Sequence, residues 1–202
     1  MAYGTPPGIT KYDQAAKIAA AIGFLVVHQQ DRVAFGLAQN GLRAYHPHAG
    51  ASPQVAALLQ TLARAQLGVD SKLARAIEQV ARHTRRRETM IICSDFWDDQ
   101  ESILNSLARI THRGGEVILF HVLHPDEMTL PKISNGVFVD SESRERIRLQ
   151  VDDVREEYMR RLQRHLESWQ EACQRMGVDY CRVLTDEPYH ERLQAFLMKR
   201  DK

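Results

Sequence analysis

The 202-residue chain has little of several things, and each shortage removes a class of protein. Its three cysteines, Cys93, Cys173 and Cys181, are odd in number and too widely spaced for a disulfide framework. Each lies in an apolar pattern, which suits small core residues of a reducing compartment. No apolar run approaches the roughly 20 residues that span a bilayer. No signal-peptide pattern opens the chain, so it reads as cytoplasmic, with no membrane segment. A net charge of +1 supplies no dominant attraction to nucleic acid or anionic lipid, and no nucleic-acid partner is expected. Catalytic signatures are missing too: there is no Walker-type loop, no Gly-x-Ser-x-Gly elbow and no Cys–His pair in a suggestive context.

The content is that of one ordinary globular domain, 44% apolar and 26% charged, spanning 1–202. Residues 1–10, with Gly4, Pro6, Pro7 and Gly8, read as a loop. A helical stripe through Ala15, Ile18, Ile22 and Leu25 runs from Lys11 to about Gln30. Val33, Phe35 and Leu37 alternate as a strand, and Asn40-Gly41 turns it back as a hairpin. Ser52-Pro53 opens a helix, and Asp70 or Ser71 caps the next, striped by Leu73, Ile77 and Val80. A strand at Thr89–Ser94, a helix ended by Gly114-Gly115 and an apolar strand at Glu116–Leu123 follow. The segment 137–151 suggests a small exposed hairpin. A long amphipathic helix then runs to Met176, followed by a last strand to Leu184 and a helix begun by Pro188. This alternation predicts an α/β fold: a mainly parallel sheet with one antiparallel edge strand and helices on both faces.

Chemistry concentrates at Ser94-Asp95-Phe96-Trp97-Asp98-Asp99, directly after the apolar run Met90-Ile91-Ile92. Ligands of open α/β sheets bind beyond the carboxyl ends of the strands, and the hard oxygens of Ser94 and Asp95 suit Mg²⁺. Asp98 and Glu101 also have capping-box spacing, so Asp98 can cap a helix while Asp95 binds. His121 and His124 flank Pro125-Asp126-Glu127 without usual zinc spacing and read as strand-end histidines. Arg85-Arg86-Arg87 reads as the basic end of a helix.

Lys11-Tyr12-Asp13, Gln30-Asp31-Arg32-Val33, Ile92-Cys93-Ser94-Asp95-Phe96 and Thr185-Asp186-Glu187-Pro188, in this order, resemble the bacterial domain of unknown function 58 family. That family contains a von Willebrand factor A-like, Rossmann-like fold. The resemblance implies a metal-ion-dependent adhesion site built from three loops. Asp95 matches the aspartate of the third loop, and Ser71 matches the threonine of the second. The Asp-x-Ser-x-Ser loop has no counterpart, and Met1-Ala2-Tyr3-Gly4 resembles the stretch just after it. The chain is therefore expected to be N-terminally incomplete, lacking the first, central strand between those at Val33 and Thr89. A longer natural protein, direct closure of the two strands, or another segment in the slot would each answer that gap.

The resemblance implies a non-enzymatic protein-interaction module working beside a MoxR-type AAA+ ATPase in assembly or maturation. Asp95 and Ser71 would be residual metal ligands, with Mg²⁺ weak or absent in this chain. Trp97 and Asp98 would form the partner-binding rim, although Trp97 also suits core packing. The alternative is a Mg²⁺-dependent phosphoesterase using Asp95, Asp98 and Asp99.

Overall fold

The computed structural model describes residues 1, 8–50, 52–66, 71–130, 135–139 and 146–200, with backbone alone at 135–139, 146–154 and 199–200. Along the chain come α1 (Lys11–His28), β1 (Val33–Ala38), β2 (Leu42–Ala49), α2 (Ser52–Ala63) and α3 (Leu73–Ala81). Then follow β3 (Thr89–Ser94), α4 (Gln100–Thr111), β4 (Glu116–Leu123), α5 (Pro125–Thr129), β5 (Asn135–Val139) and β6 (Arg146–Gln150). α6 (Val151–Met176), β7 (Asp179–Leu184) and α7 (Tyr189–Arg200) complete the order. Among the described residues no helix is long and apolar enough to cross a membrane.

β3, β4 and β7 form a parallel sheet in the order β3-β4-β7, with Ser94 opposite His121 and His121 opposite Arg182. The middle strand β4 is buried from its second residue onward, as a strand covered on both faces must be. Its side chains alternate between two cores. Val117 and Leu119 join Ile77 of α3, Leu107 of α4 and Trp169 of α6. Ile118 and Phe120 join Ile18 of α1 and Leu193 of α7. Each of these large side chains contributes about 1.5–3 kcal/mol through burial, so the two-sided cover holds the sheet. The predicted α/β class, with helices on both faces of a mainly parallel sheet, is the observed one.

β1 and β2 form an antiparallel hairpin in which the rings of Phe35 and His46 stack at 4.3 Å. Asn40 and Gly41 take φ of 53° and 99°, the two positive values that the expected Asn-Gly turn demands. This hairpin makes its own ladder. Among the described residues β1 bonds only β2, and β3 bonds only β4, so the two strands do not close directly upon each other. Helices anchor the hairpin instead: the Gln54 amide of α2 donates to the carbonyls of Val33 and Pro47, both at 2.9 Å. The suggested hairpin at 137–151 is present in the backbone as β5 paired with β6. Residues 2–7, most of the opening loop, lie outside the described residues, as does Asp70.

Two capping assignments differ from expectation. Lys72 precedes α3 in a left-handed conformation (φ 44°) and its side chain gives no cap. The cap comes from Asp98, 25 residues away, which accepts from the Leu73 N–H at 3.0 Å and from the Ser71 hydroxyl. Asp98 therefore does not cap α4; Asp99 does, accepting from the Ser102 N–H at 2.9 Å. Capping-box spacing is a local signal, and here a neighbouring helix start was within reach of the first carboxylate while the second sat in the N-cap position.

Candidate functional site

Because β3, β4 and β7 run parallel, their carboxyl ends open at one edge of the sheet. Asp95 follows β3, His124 to Glu127 follow β4, and Thr185 to Glu187 follow β7. The first turn of α1 reaches all three loops. Thr10 caps this helix in a reciprocal capping box with Asp13, which fixes where Lys11 and Gln14 point. These two lie three residues apart on one face. Lys11 Nζ reaches Asp95 Oδ2 at 2.9 Å and Glu127 Oε1 at 2.7 Å. The Gln14 amide donates to the carbonyls of Leu184 at 3.0 Å and Glu187 at 2.7 Å.

The ion node is largely dry. The Lys11 side chain is 4% exposed and those of Asp95 and Glu127 are 15% and 16% exposed. The terminal ammonium of Met1 also lies 2.8 Å from Asp95 Oδ2. Burial pulls the Lys11 pKa down, but the charges of Asp95 and Glu127 outweigh it and leave it raised. Burial likewise pushes Asp95 up, and Lys11 and the terminal ammonium more than reverse this, leaving it lowered. Glu127 does double duty, since its Oε2 accepts from the His124 N–H at 2.8 Å and so caps α5.

Beside the node the chain turns sharply. Phe96 has φ 48°, a left-handed conformation that costs a non-glycine residue about 1–2 kcal/mol. Its ring, fully buried, packs on His121 at 5.2 Å and Trp169 at 5.0 Å. The turn sends Trp97 outward. Trp97 is 50% exposed and stacks on His165 of α6, ring to ring at 4.6 Å and 5°. His121 is fully buried and shares a 2.7 Å hydrogen bond with the Tyr180 hydroxyl. Burial, helped by the nearby His165, pushes the His121 pKa down to about 3, so this imidazole is neutral in ordinary buffers. The Nε2 atoms of His121 and His165 and Nε1 of Trp169 are buried without a hydrogen-bond partner among the described residues.

Asp95, Trp97, Asp98 and Ser71 thus share one edge, with Ser71 joined to the loop through Asp98. Their oxygens are engaged otherwise than the sequence suggests. Mg²⁺ demands near-octahedral oxygen donors at about 2.0–2.1 Å. Asp95 spends its Oδ2 on the Lys11 ammonium, and the Ser71 hydroxyl donates to Asp98. As arranged, these residues do not fit the ion. The three carboxylates of the phosphoesterase alternative do not converge either: Asp95 pairs with Lys11, Asp98 caps α3 and Asp99 caps α4. Among the described residues, no group of three or more His, Cys, Asp or Glu side chains is placed to hold a metal. Lys11 and Glu127 are the residues that sequence reasoning missed. A lysine in the first turn of a helix, against the dipole, was the one signal available.

Known proteins match this architecture over most of its length. Uncharacterized proteins of Mycobacterium bovis and Mycobacterium tuberculosis are 27% identical over 194 residues, covering 94% of this chain and 61% of theirs. The chain spans about three fifths of the length of those relatives, 61%. Two solved structures share the fold. An aerotolerance-related membrane protein from Bacteroides fragilis superposes with a TM-score of 0.61 at 12% identity, covering 94% of this chain and 88% of the other. The conserved hypothetical protein BatB from Bacteroides thetaiotaomicron gives 0.56 at 10% identity, covering 94% and 87%. One family, described as protein of unknown function DUF58, matches residues 1–168, taking in the hairpin, β3 and β4 with their wired edge, and most of α6. A match of that extent makes this chain a member of the DUF58 family.

Proposed function

We propose that the chain is a non-enzymatic protein-interaction module of the von Willebrand factor A-like type, docking its partner through the carboxyl edge of β3, β4 and β7. The observation that carries this reading is the loop Asp95–Asp98. A left-handed, buried Phe96 holds Trp97 half exposed beside a buried ion node, at the strand ends where α/β sheets bind ligands. Trp97 is the anchor and Asp98 its neighbour on the rim, a pairing that suits a protein surface better than a small-molecule cavity.

The partner in this reading is a MoxR-type AAA+ ATPase acting in assembly or maturation in the cytoplasm. In this reading Asp95 and Ser71 occupy the third- and second-loop positions of a metal-ion-dependent adhesion site, and their affinity for Mg²⁺ is weak or absent. β1 bonds only β2 and β3 bonds only β4 among the described strands, and in this reading a central strand carrying the Asp-x-Ser-x-Ser loop belongs between β1 and β3. The split between the two ladders supports this placement.

Binding to a purified MoxR-type AAA+ ATPase, measured by interferometry, tests the proposal. Trp97→Ala is expected to weaken it by about 2 kcal/mol, roughly 30-fold, as loss of an interface anchor does. Unchanged affinity would remove the rim from the account. A Mg²⁺-dependent phosphodiesterase activity abolished by Asp95→Ala would favour the hydrolase instead.

A further inference from the structure

We infer that Lys11 is the resident cation of this edge: its ammonium joins Asp95 and Glu127 in the position a divalent ion would take, so the docking edge is built without metal. The inference rests on reading this edge as the working one, and it goes further by saying what holds the edge together.

Three observations carry it. Lys11 stands in the first turn of an 18-residue helix, where the helix dipole disfavours a positive charge and an acidic residue is the better choice. Its side chain is nevertheless 4% exposed, and a buried charge persists only when it is paired. Its partners come from two other loops, one after β3 and one after β4, at 2.9 and 2.7 Å. A flexible surface lysine satisfies none of these conditions. Asp95 and Glu127 lie 32 residues apart in sequence and share this one side-chain cation. Bridging two carboxylates from separate loops is what a bound divalent ion does at a strand edge. An added ion on the same Asp95 oxygen would lie roughly 4 Å from the ammonium and be repelled by it. Lysine and metal are therefore alternatives.

The test is a Mn²⁺ titration followed by the loss of the free-ion paramagnetic resonance signal, with no partner present. The wild-type chain, and the same chain N-terminally acetylated to remove the Met1 charge, are expected to leave millimolar Mn²⁺ free. Their melting temperatures should be the same in EDTA and in Mg²⁺. Lys11→Met should gain a saturable site, at least about tenfold tighter than any wild-type uptake, and Asp95→Asn in that background should erase it. Where Lys11→Met is too unstable to titrate, its melting temperature should rise with Mn²⁺ while that of the wild type does not. Saturable wild-type binding that Asp95→Asn removes would overturn the inference. So would uptake gained on acetylation alone, or a Lys11→Met chain that Mn²⁺ neither binds nor stabilises. Because the readout needs no ATPase, a failure here is separable from a failure of the docking reading.

Discussion

The two edges of the parallel sheet are built in opposite ways. At the amino edge, closure is mostly by neighbours in sequence: the Gly115 N–H donates to Ile110, the Val178 N–H to Cys173, and the Arg85 N–H to the Glu88 carboxylate, all within five residues. The side-chain bond that crosses between strands there, Thr89 to Glu116 at 3.2 Å, is exposed. At the carboxyl edge the bonds are long-range and enclosed. Lys11 reaches across 116 residues to Glu127, and Gln14 across 170 to Leu184. A few long-range contacts join them, such as the Glu116 N–H to the Glu88 carbonyl at 3.0 Å and His48 to the Glu88 carboxylate at 3.4 Å. The lesson is that one edge mainly turns the chain, while the other gathers buried charge from three loops. Buried charge is costly to maintain, and here it is concentrated at the carboxyl edge, where open α/β sheets bind their ligands.

The largest expected contrast is in stability. Lys11→Ala leaves two carboxylates with little solvent to face and should cost about 3–5 kcal/mol in urea unfolding. Glu88→Ala, which removes a half-buried carboxylate that accepts from the Arg85 N–H and lies 3.4 Å from His48 at the other edge, should cost only about 1 kcal/mol. Equal losses from the two would erase the distinction between the edges.

Acid should also act through the carboxyl edge. His121 is held neutral when folded, with a pKa pushed down to about 3, against an unfolded value near 6.5. The folded state therefore binds fewer protons in between, and stability falls as pH drops from about 6.5 toward 3, by roughly 2–4 kcal/mol. Asp95, lowered when folded, adds a loss only below its unfolded value of about 3.9. Lys11, raised when folded, contributes fully below about 10.4, and its share is lost as pH climbs through its raised value. Urea unfolding from pH 7 to pH 4 should show His121→Gln flattening the slope; an unaltered slope would move the acid-sensitive group elsewhere.

Smaller effects belong to the caps. Asp98→Ala removes a cap supplied from across the molecule and should cost about 1–2 kcal/mol, with helix α3 exchanging its amides faster. Asp99→Ala, which removes an exposed local cap on α4, should cost less than Asp98→Ala in the same urea unfolding.

Much of the frame was readable in advance because its signals are local. β3 and β4 coincide with their apolar runs at Thr89–Ser94 and Glu116–Leu123. Asn40-Gly41 announced its hairpin through the backbone freedom of two residues. The Asp95 segment stood out because an apolar strand ended in carboxylates, and the structure places it at a strand edge with Ser71 close by through Asp98. What the carboxylates do was not readable. Asp98 looked like the cap of the helix that follows it, but serves one 25 residues earlier. The short helix α5 left no periodicity to find, and without it Glu127 had no known position. Lys11 drew notice only as part of a family motif, since its partners lie 84 and 116 residues away and appear only when the sheet is assembled. The left-handed Phe96 has no signature either, because a buried ring rather than a glycine holds that turn.

The most direct test is the affinity of the chain for the MoxR-type ATPase, measured with EDTA and then with Mg²⁺, for the wild type and for Trp97→Ala. A lysine-held docking edge predicts equal wild-type affinity in the two buffers and a roughly 30-fold loss with Trp97→Ala. Binding that needs Mg²⁺, or that ignores the loss of Trp97, would contradict it.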